Sequence, residues 1–141
     1  LGAKEMNIPQ RRLEATDIFK SFFGRRPDEP LTLEEMEAAI HPDDRARRRE
    51  AFETAVMNGQ DYNVEYRAIW RDRSVHWINT HATIFRGLDG QPATLIGVAS
   101  DVTARKIAEI EGEKWMTQLA AERSALMKWR AFRMRSTYSR M

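Results

Sequence analysis

Carboxylates, histidines and hydroxyls are where any chemistry in this sequence would have to start, because it contains no cysteine. Disulfides, thiol nucleophiles and cysteine-bound metals are thereby excluded. Adjacent Asp43 and Asp44, and Glu34 with Glu37, are spaced so that one carboxyl could give a proton while another takes one. No partner nucleophile, glycine-rich phosphate loop or kinase signature accompanies either pair. Both stand at the start of an expected helix, where carboxylates offset the positive end of the dipole, so helix electrostatics explains them without catalysis. The histidines are His41, His76 and His81. His76 and His81 lie five apart on an expected strand, point to opposite faces and cannot chelate one ion. His41 precedes Pro42-Asp43-Asp44, where a structural or capping role is expected. A histidine and methionine haem pair is not supported, since the spacing singles out none of the seven methionines. These residues predict no metal site and a regulatory chain without a catalytic site of its own.

Such residues must be held by an α+β chain. Extended runs over 3–8 and 12–15 flank a turn at Pro9-Gln10-Arg11. Thr16 can cap a short helix over 17–23 that Gly24 ends, and Thr32 with Glu35 forms a capping box for a helix over 33–40. Pro42 suits the first position of a longer helix, which Asn58-Gly59 stops. From Tyr62 the apolar period changes to two, predicting strands over 62–70, 75–86 and 93–100, with a hairpin turn at Leu88-Asp89-Gly90-Gln91. One face of this meander carries Val64, Tyr66, Ala68, Ile78, Thr80, Ala82, Leu95, Gly97 and Ala99. Small residues among larger ones could leave a cavity for a small apolar ligand, with Tyr66 and Thr80 as hydrogen-bonding handles. Close packing makes a filled core the default alternative. The opposite face carries Trp77, Phe85, Ile96 and Val98, which calls for a cover from a helix or a second subunit. A ligand-free dimerisation domain is therefore the competing reading.

Length and charge bound the rest. The 141 residues suit one domain of about 100 residues plus an extension. Apolar content of 42% with 31% charged residues excludes wholesale disorder. No apolar stretch is long enough to span a membrane and no targeting segment is visible, so a soluble, cytoplasmic piece of a longer protein is expected. The net charge of +2 conceals a split: 14 basic and 17 acidic residues through Asp101, nine basic and four acidic after it. Residues from Val102 on contain no proline and only Gly112 as a breaker, which predicts one long helix. Its apolar positions, among them Ile107, Ile110, Trp115, Leu119, Leu126 and Trp129, keep no clean heptad, so docking on a sheet or partner fits better than an ideal coiled coil. Residues 128–141 carry five basic groups with interleaved aromatics and no acid. That pattern suits nucleic acid or an anionic membrane surface, against the blander reading of a solvated connector.

Taken in order, FFGRRP (22–27), IHPDDR (40–45), EYR (65–67), HWI (76–78), DG (89–90) and GVASDVTARK (97–106) resemble a PAS domain with its PAC motif. The likeness is to the PAS fold-3 type found as a sensory module in bacterial histidine kinases and diguanylate cyclases. It implies a five-stranded antiparallel sheet with short helices packed over one face around a small cavity, followed here by the long C-terminal helix. Residues 1–103 would be the sensory domain and 104–141 a helical linker or signalling helix. In the family, the Asp-x-Thr ending the last strand ties the core to the outgoing helix, and Asp101 and Thr103 match it. Both can also cap the first helical turn. The resemblance further implies a homodimer, a possible small-molecule ligand and an output domain in the parent chain, a kinase of a two-component system or a cyclase. The cofactor is unassigned. Flavin photochemistry of the light-oxygen-voltage kind needs a reactive cysteine and pocket amides, whereas the comparable positions here are Ala68, Ile78 and Ala99. Lys4 and Ala15 stand where the subgroup usually has tryptophan. Asp72-Arg73 replaces the usual Asp-Gly, so Arg73 must accept positive φ or the turn must change.

Overall fold

Gly2–Asn7 (β1) and Arg12–Ala15 (β2) pair antiparallel across a turn in which Arg11 takes a φ of 54°. The structure is a computed structural model and describes residues 1–139. At the end of β2 the Thr16 hydroxyl accepts from the Phe19 amide at 3.3 Å and from the Ala3 amide at 3.0 Å, starting Asp17–Ser21 (α1) while fixing it to β1. The helix stops short of residue 23 because Phe22 and Phe23 donate three residues back, to Phe19 and Lys20, tightening the chain toward Gly24 at φ 72°. Thr32 caps Leu33–Ala39 (α2) by accepting from the Glu35 amide at 3.1 Å. The Glu35 side chain does not complete the box; it pairs with Arg25 at 3.0 Å.

Pro42–Asn58 (α3) begins behind His41, whose Nδ1 accepts from the Asp43 amide at 3.1 Å, and ends at Gly59 with φ 64°. Tyr62–Ile69 (β3), Val75–Arg86 (β4) and Pro92–Asp101 (β5) form the meander. The sheet order is β2-β1-β5-β4-β3, antiparallel throughout, so β5 lies between its hairpin partner and the N-terminal strand. Arg73 accepts φ 69° in the β3–β4 turn. One sheet face packs on the short helices: Phe19, Phe23, Leu33, Met36 and Ile40 meet Met6, Tyr66, Ile78 and Leu95 in a single core. The outer edge of β3 is not bare. Ile40 bridges Ala68, and the His41 amide donates to the Arg67 carbonyl at 2.8 Å, which blunts an edge that could otherwise pair with another chain.

The chain forms two compact units, Leu1–Thr103 and a second beginning at Ala104. The described residues of the second all belong to one helix, Thr103–Ser139 (α4), whose first residue closes the first unit. Along it Arg105 pairs with Glu109 at 2.7 Å, and the Trp129 and Phe132 rings stack with centroids 5.6 Å apart. Of the basic segment 128–141, Arg140 and Met141 lie outside the described residues. No helix among the described residues is long and apolar enough to cross a membrane.

Candidate functional site

All nine residues expected to line a cavity lie on the inner sheet face and are buried: Val64, Tyr66 and Ala68 from β3, Ile78, Thr80 and Ala82 from β4, Leu95, Gly97 and Ala99 from β5. The two polar members face each other. The Thr80 hydroxyl donates to the Tyr66 hydroxyl at 3.5 Å, a long contact between neighbouring strands, and burial raises the Tyr66 phenol above its ordinary pKa. Phe23 lies across Tyr66 at 6.4 Å. Gly97 lets β5 approach β4: a Cβ there would meet the Ala82 Cβ at 2.7 Å and the His81 carbonyl at 2.8 Å.

Alternation along β1 puts a further residue on this face. Gly2, Lys4 and Met6 point inward, and Lys4 is buried with its ammonium between the Phe19 and Tyr62 rings. Burial, and secondarily the Arg48 charge, lower its pKa to about 7. Period two along 2–6 carries that signal, but a lysine inside an apolar face contradicts residue-type rules, which place lysine in solvent.

Asp44 does more than start a helix. Its carboxylate accepts from the Arg67 amide at 2.8 Å, from Nε at 2.9 Å and from Nη2 at 2.7 Å. Those hydrogen bonds hold its pKa down at about 2. The same guanidinium lies 5.3 Å from the Trp77 ring centre, so the start of α3 is fastened through β3 to the outer sheet face. On that face Phe85, Ile96 and Val98 are exposed, while Trp77 is half-buried. His81, also facing outward, bonds Asn63 at 2.6 Å.

At the end of β5 the Asp101 carboxylate accepts from both the amide (2.9 Å) and the hydroxyl of Thr103. The Thr103 oxygen then accepts from the Trp77 amide at 2.9 Å, and the Trp77 carbonyl accepts from the Val102 amide at 2.8 Å. The chain leaving β5 is thus tied to β4 through two residues, Val102 and Thr103, both on the backbone of Trp77. His76 joins the same cluster. Its Nδ1 lies 3.9 Å from the Asp101 carboxylate, its Nε2 is 2.8 Å from the Ser74 hydroxyl, and its ring stacks on Trp70 at 3.6 Å. The Trp70 indole donates to the Phe22 carbonyl at 2.9 Å. Gly24 leaves room for that ring, since a Cβ there would meet it at 2.9 Å. Phe22, Trp70 and His76 thus form a bonded and stacked run that comes within 3.9 Å of Asp101, beside the point where α4 begins.

A protein-family model described as the PAS fold matches residues 12–99. A blue-light-activated histidine kinase from Brucella anthropi is 31% identical over 93 residues, covering 66% of this chain and 18% of the kinase. Its counterpart from Brucella ovis is 31% identical over 90 residues, 64% of this chain and 18% of that protein. The chain therefore spans less than a fifth of the length of these curated relatives. Among solved structures, a sensory box histidine kinase/response regulator from Burkholderia thailandensis E264 superposes with a TM-score of 0.75 at 29% identity, over 84% of this chain and 88% of that one. The N-terminal domain of a diguanylate cyclase with PAS/PAC sensor from Marinobacter aquaeolei shares the fold, with a TM-score of 0.66 at 21% identity over 74% and 97% of the two chains.

Proposed function

The chain belongs to the PAS-fold family, and from that premise we propose that residues 1–103 sense a small molecule or partner at the inner sheet face. The change is relayed through Asp101-Val102-Thr103 into the helix that follows, toward a histidine kinase output domain elsewhere in a parent chain. The observation that carries this reading is the double tie at the exit: Asp101 holds Thr103, and Thr103 holds the backbone of Trp77 on the neighbouring strand. The stacked Trp70 and His76 reach from the loop after α1 to within 3.9 Å of Asp101, which supports a packed route from the helix side of the core to the exit. A ligand drives such a relay only by binding one arrangement of the joint better than the other.

Blue-light activation belongs to the Brucella kinases by name and is not carried over. A flavin of the cysteine-reactive kind does not fit, because the inner face offers Ala68, Ile78 and Ala99 and the chain holds no thiol. The test is amide hydrogen exchange on the wild type and Asp101→Ala. Protection at residues 102–106 is expected to fall in the variant while the sheet keeps its own. Unchanged protection would overturn the relay.

A second reading, a dimerisation domain without ligand, is favoured by the exposure of Phe85, Ile96 and Val98. Mass spectrometry under native conditions separates the two readings, reporting bound small molecules and subunit number in one measurement.

A further inference from the structure

The interior of the first unit holds polar groups that it does not fully satisfy. Lys4 is only 5% exposed, and its ammonium lies 5.4 Å from the Phe19 ring centre and 5.7 Å from that of Tyr62. Among the described residues it makes no ion pair and no side-chain hydrogen bond. Aromatic faces attract a cation but do not replace its lost hydration. Tyr62 is 1% exposed and its hydroxyl, near the Arg48 guanidinium, makes no well-formed hydrogen bond; the buried Nε of Arg48 makes none either. The Arg48 charge acts on both Lys4 and Tyr62, so among the described residues two cationic groups and a phenol share one region in which no carboxylate pairs with them.

Beside this region a cleft of about 350 Å³ opens between the end of β1, the β1–β2 turn, α2 and α3. Met6, Leu33 and Phe52 give it an apolar lining, and Arg48 stands in its wall. Phe52 meets the Tyr62 ring edge-on at 6.2 Å, which joins the cleft to the buried donors. The remaining charges at the cleft are Arg11 and Glu37, already paired at 2.6 Å, with Arg49 and Glu53.

We propose that this cleft binds a small carboxylate with an apolar body. The carboxylate is taken by Arg48 in the cleft wall, with the Tyr62 hydroxyl and the Lys4 ammonium buried behind it, and the apolar body lies on Met6, Leu33 and Phe52. An apolar lining alone would accept any hydrocarbon of the right size. The buried donors change that: they bond an anion more strongly than a neutral acceptor such as a hydroxyl, and they repel a cation. A planar guanidinium also matches a carboxylate with two parallel hydrogen bonds. This inference rests on the ligand-sensing reading above and gives that ligand its chemical class.

The test uses the whole chain and titration calorimetry with sodium octanoate, against octanol and octylamine as neutral and cationic counterparts. Octanoate is expected to bind saturably and at least tenfold more tightly than either. Lys4→Met and Arg48→Met should each weaken octanoate about tenfold or more with the far-ultraviolet dichroism unchanged. Methionine keeps most of the stem and removes a buried charge, so Lys4→Met should fold. No binding of octanoate, equal binding of octanol, or unchanged affinity in both variants overturns the carboxylate site. Hydrogen exchange at residues 102–106 with and without octanoate separates this from the relay. Binding without altered exchange sinks the relay and leaves the site; failure of octanoate, with another small molecule retained under native mass spectrometry, sinks the site and leaves the sensing.

Discussion

Lys4 illustrates how one residue can oppose the fold that contains it. Its ordinary pKa of 10.5 falls to about 7 in the folded chain, chiefly because burial penalises the ammonium. Below pH 7 it is charged in both folded and unfolded chains, and the folded state carries the full penalty. Between about 7 and 10.5 the unfolded chain binds more protons, so stability is expected to rise with pH, by on the order of a few kcal/mol in all. Urea unfolding of the wild type and Lys4→Met across that range isolates the contribution. The variant should be more stable near neutrality, and its advantage should shrink as pH rises. A constant difference would mean that Lys4 is not titrating inside the core. Residue-type rules could not have located this group, whereas those for His41 were sufficient: a ring nitrogen before Pro42 is well placed to accept from the first turn, and it does so. The Asp44 carboxylate was legible only as a helix-start charge. Its three bonds to Arg67 join positions 23 residues apart, a separation that local spacing does not encode.

At the scale of elements, boundaries followed from local chemistry wherever a cap or a left-handed residue was visible. Thr16, Thr32 and Gly59 mark ends that the backbone respects. The strand pattern carried over because period two sorts inner from outer residues without knowledge of the partner strand. The exceptions have physical causes. β3 ends at Ile69 rather than Trp70 because the Trp70 amide turns to bond the Ser74 carbonyl at 3.0 Å, closing the β3–β4 loop. In that loop Arg73 sits at φ 69°, which an L-residue adopts at a cost of about 1 kcal/mol or more that glycine avoids. Asp72 supports the loop by accepting from the Ser74 amide at 2.9 Å. Arg73→Gly is therefore expected to stabilise the first unit by up to about 1 kcal/mol, less what the freer unfolded chain takes back. Chemical denaturation should show the midpoint moving up with the slope unchanged. A lower midpoint would mean that the arginine side chain contributes more than its backbone costs.

At the scale of the whole molecule, the outer sheet face presents exposed apolar side chains. Ile96 and Val98 alternate outward on β5, and Phe85 projects from the adjacent β4, where Thr83 pairs with Ile96 and His81 with Val98. These are central strands in the order β2-β1-β5-β4-β3, so the exposed apolar residues sit mid-sheet, with Glu5 opposite Ile96 on the β1 side. An apolar centre with polar neighbours is the arrangement of an interface more than of a wet surface. If a second copy covers it, a two-fold contact brings each residue close to its own symmetry mate, and a new carboxylate would face another carboxylate in a drying environment. Sedimentation equilibrium of the whole chain is then expected to show a dimer that becomes monomeric in the Ile96→Glu, Val98→Glu double variant, with the circular dichroism of the sheet retained. Both side chains point away from the core, so the substitutions should leave Leu95, Gly97 and Ala99 packed as before. A double variant that dimerises as tightly as the wild type would move the self-contact off this face. That result would leave the exposed residues to a different partner without disturbing the exit tie at Asp101 and Thr103, which is made on the backbone of Trp77 and needs nothing from Ile96 or Val98.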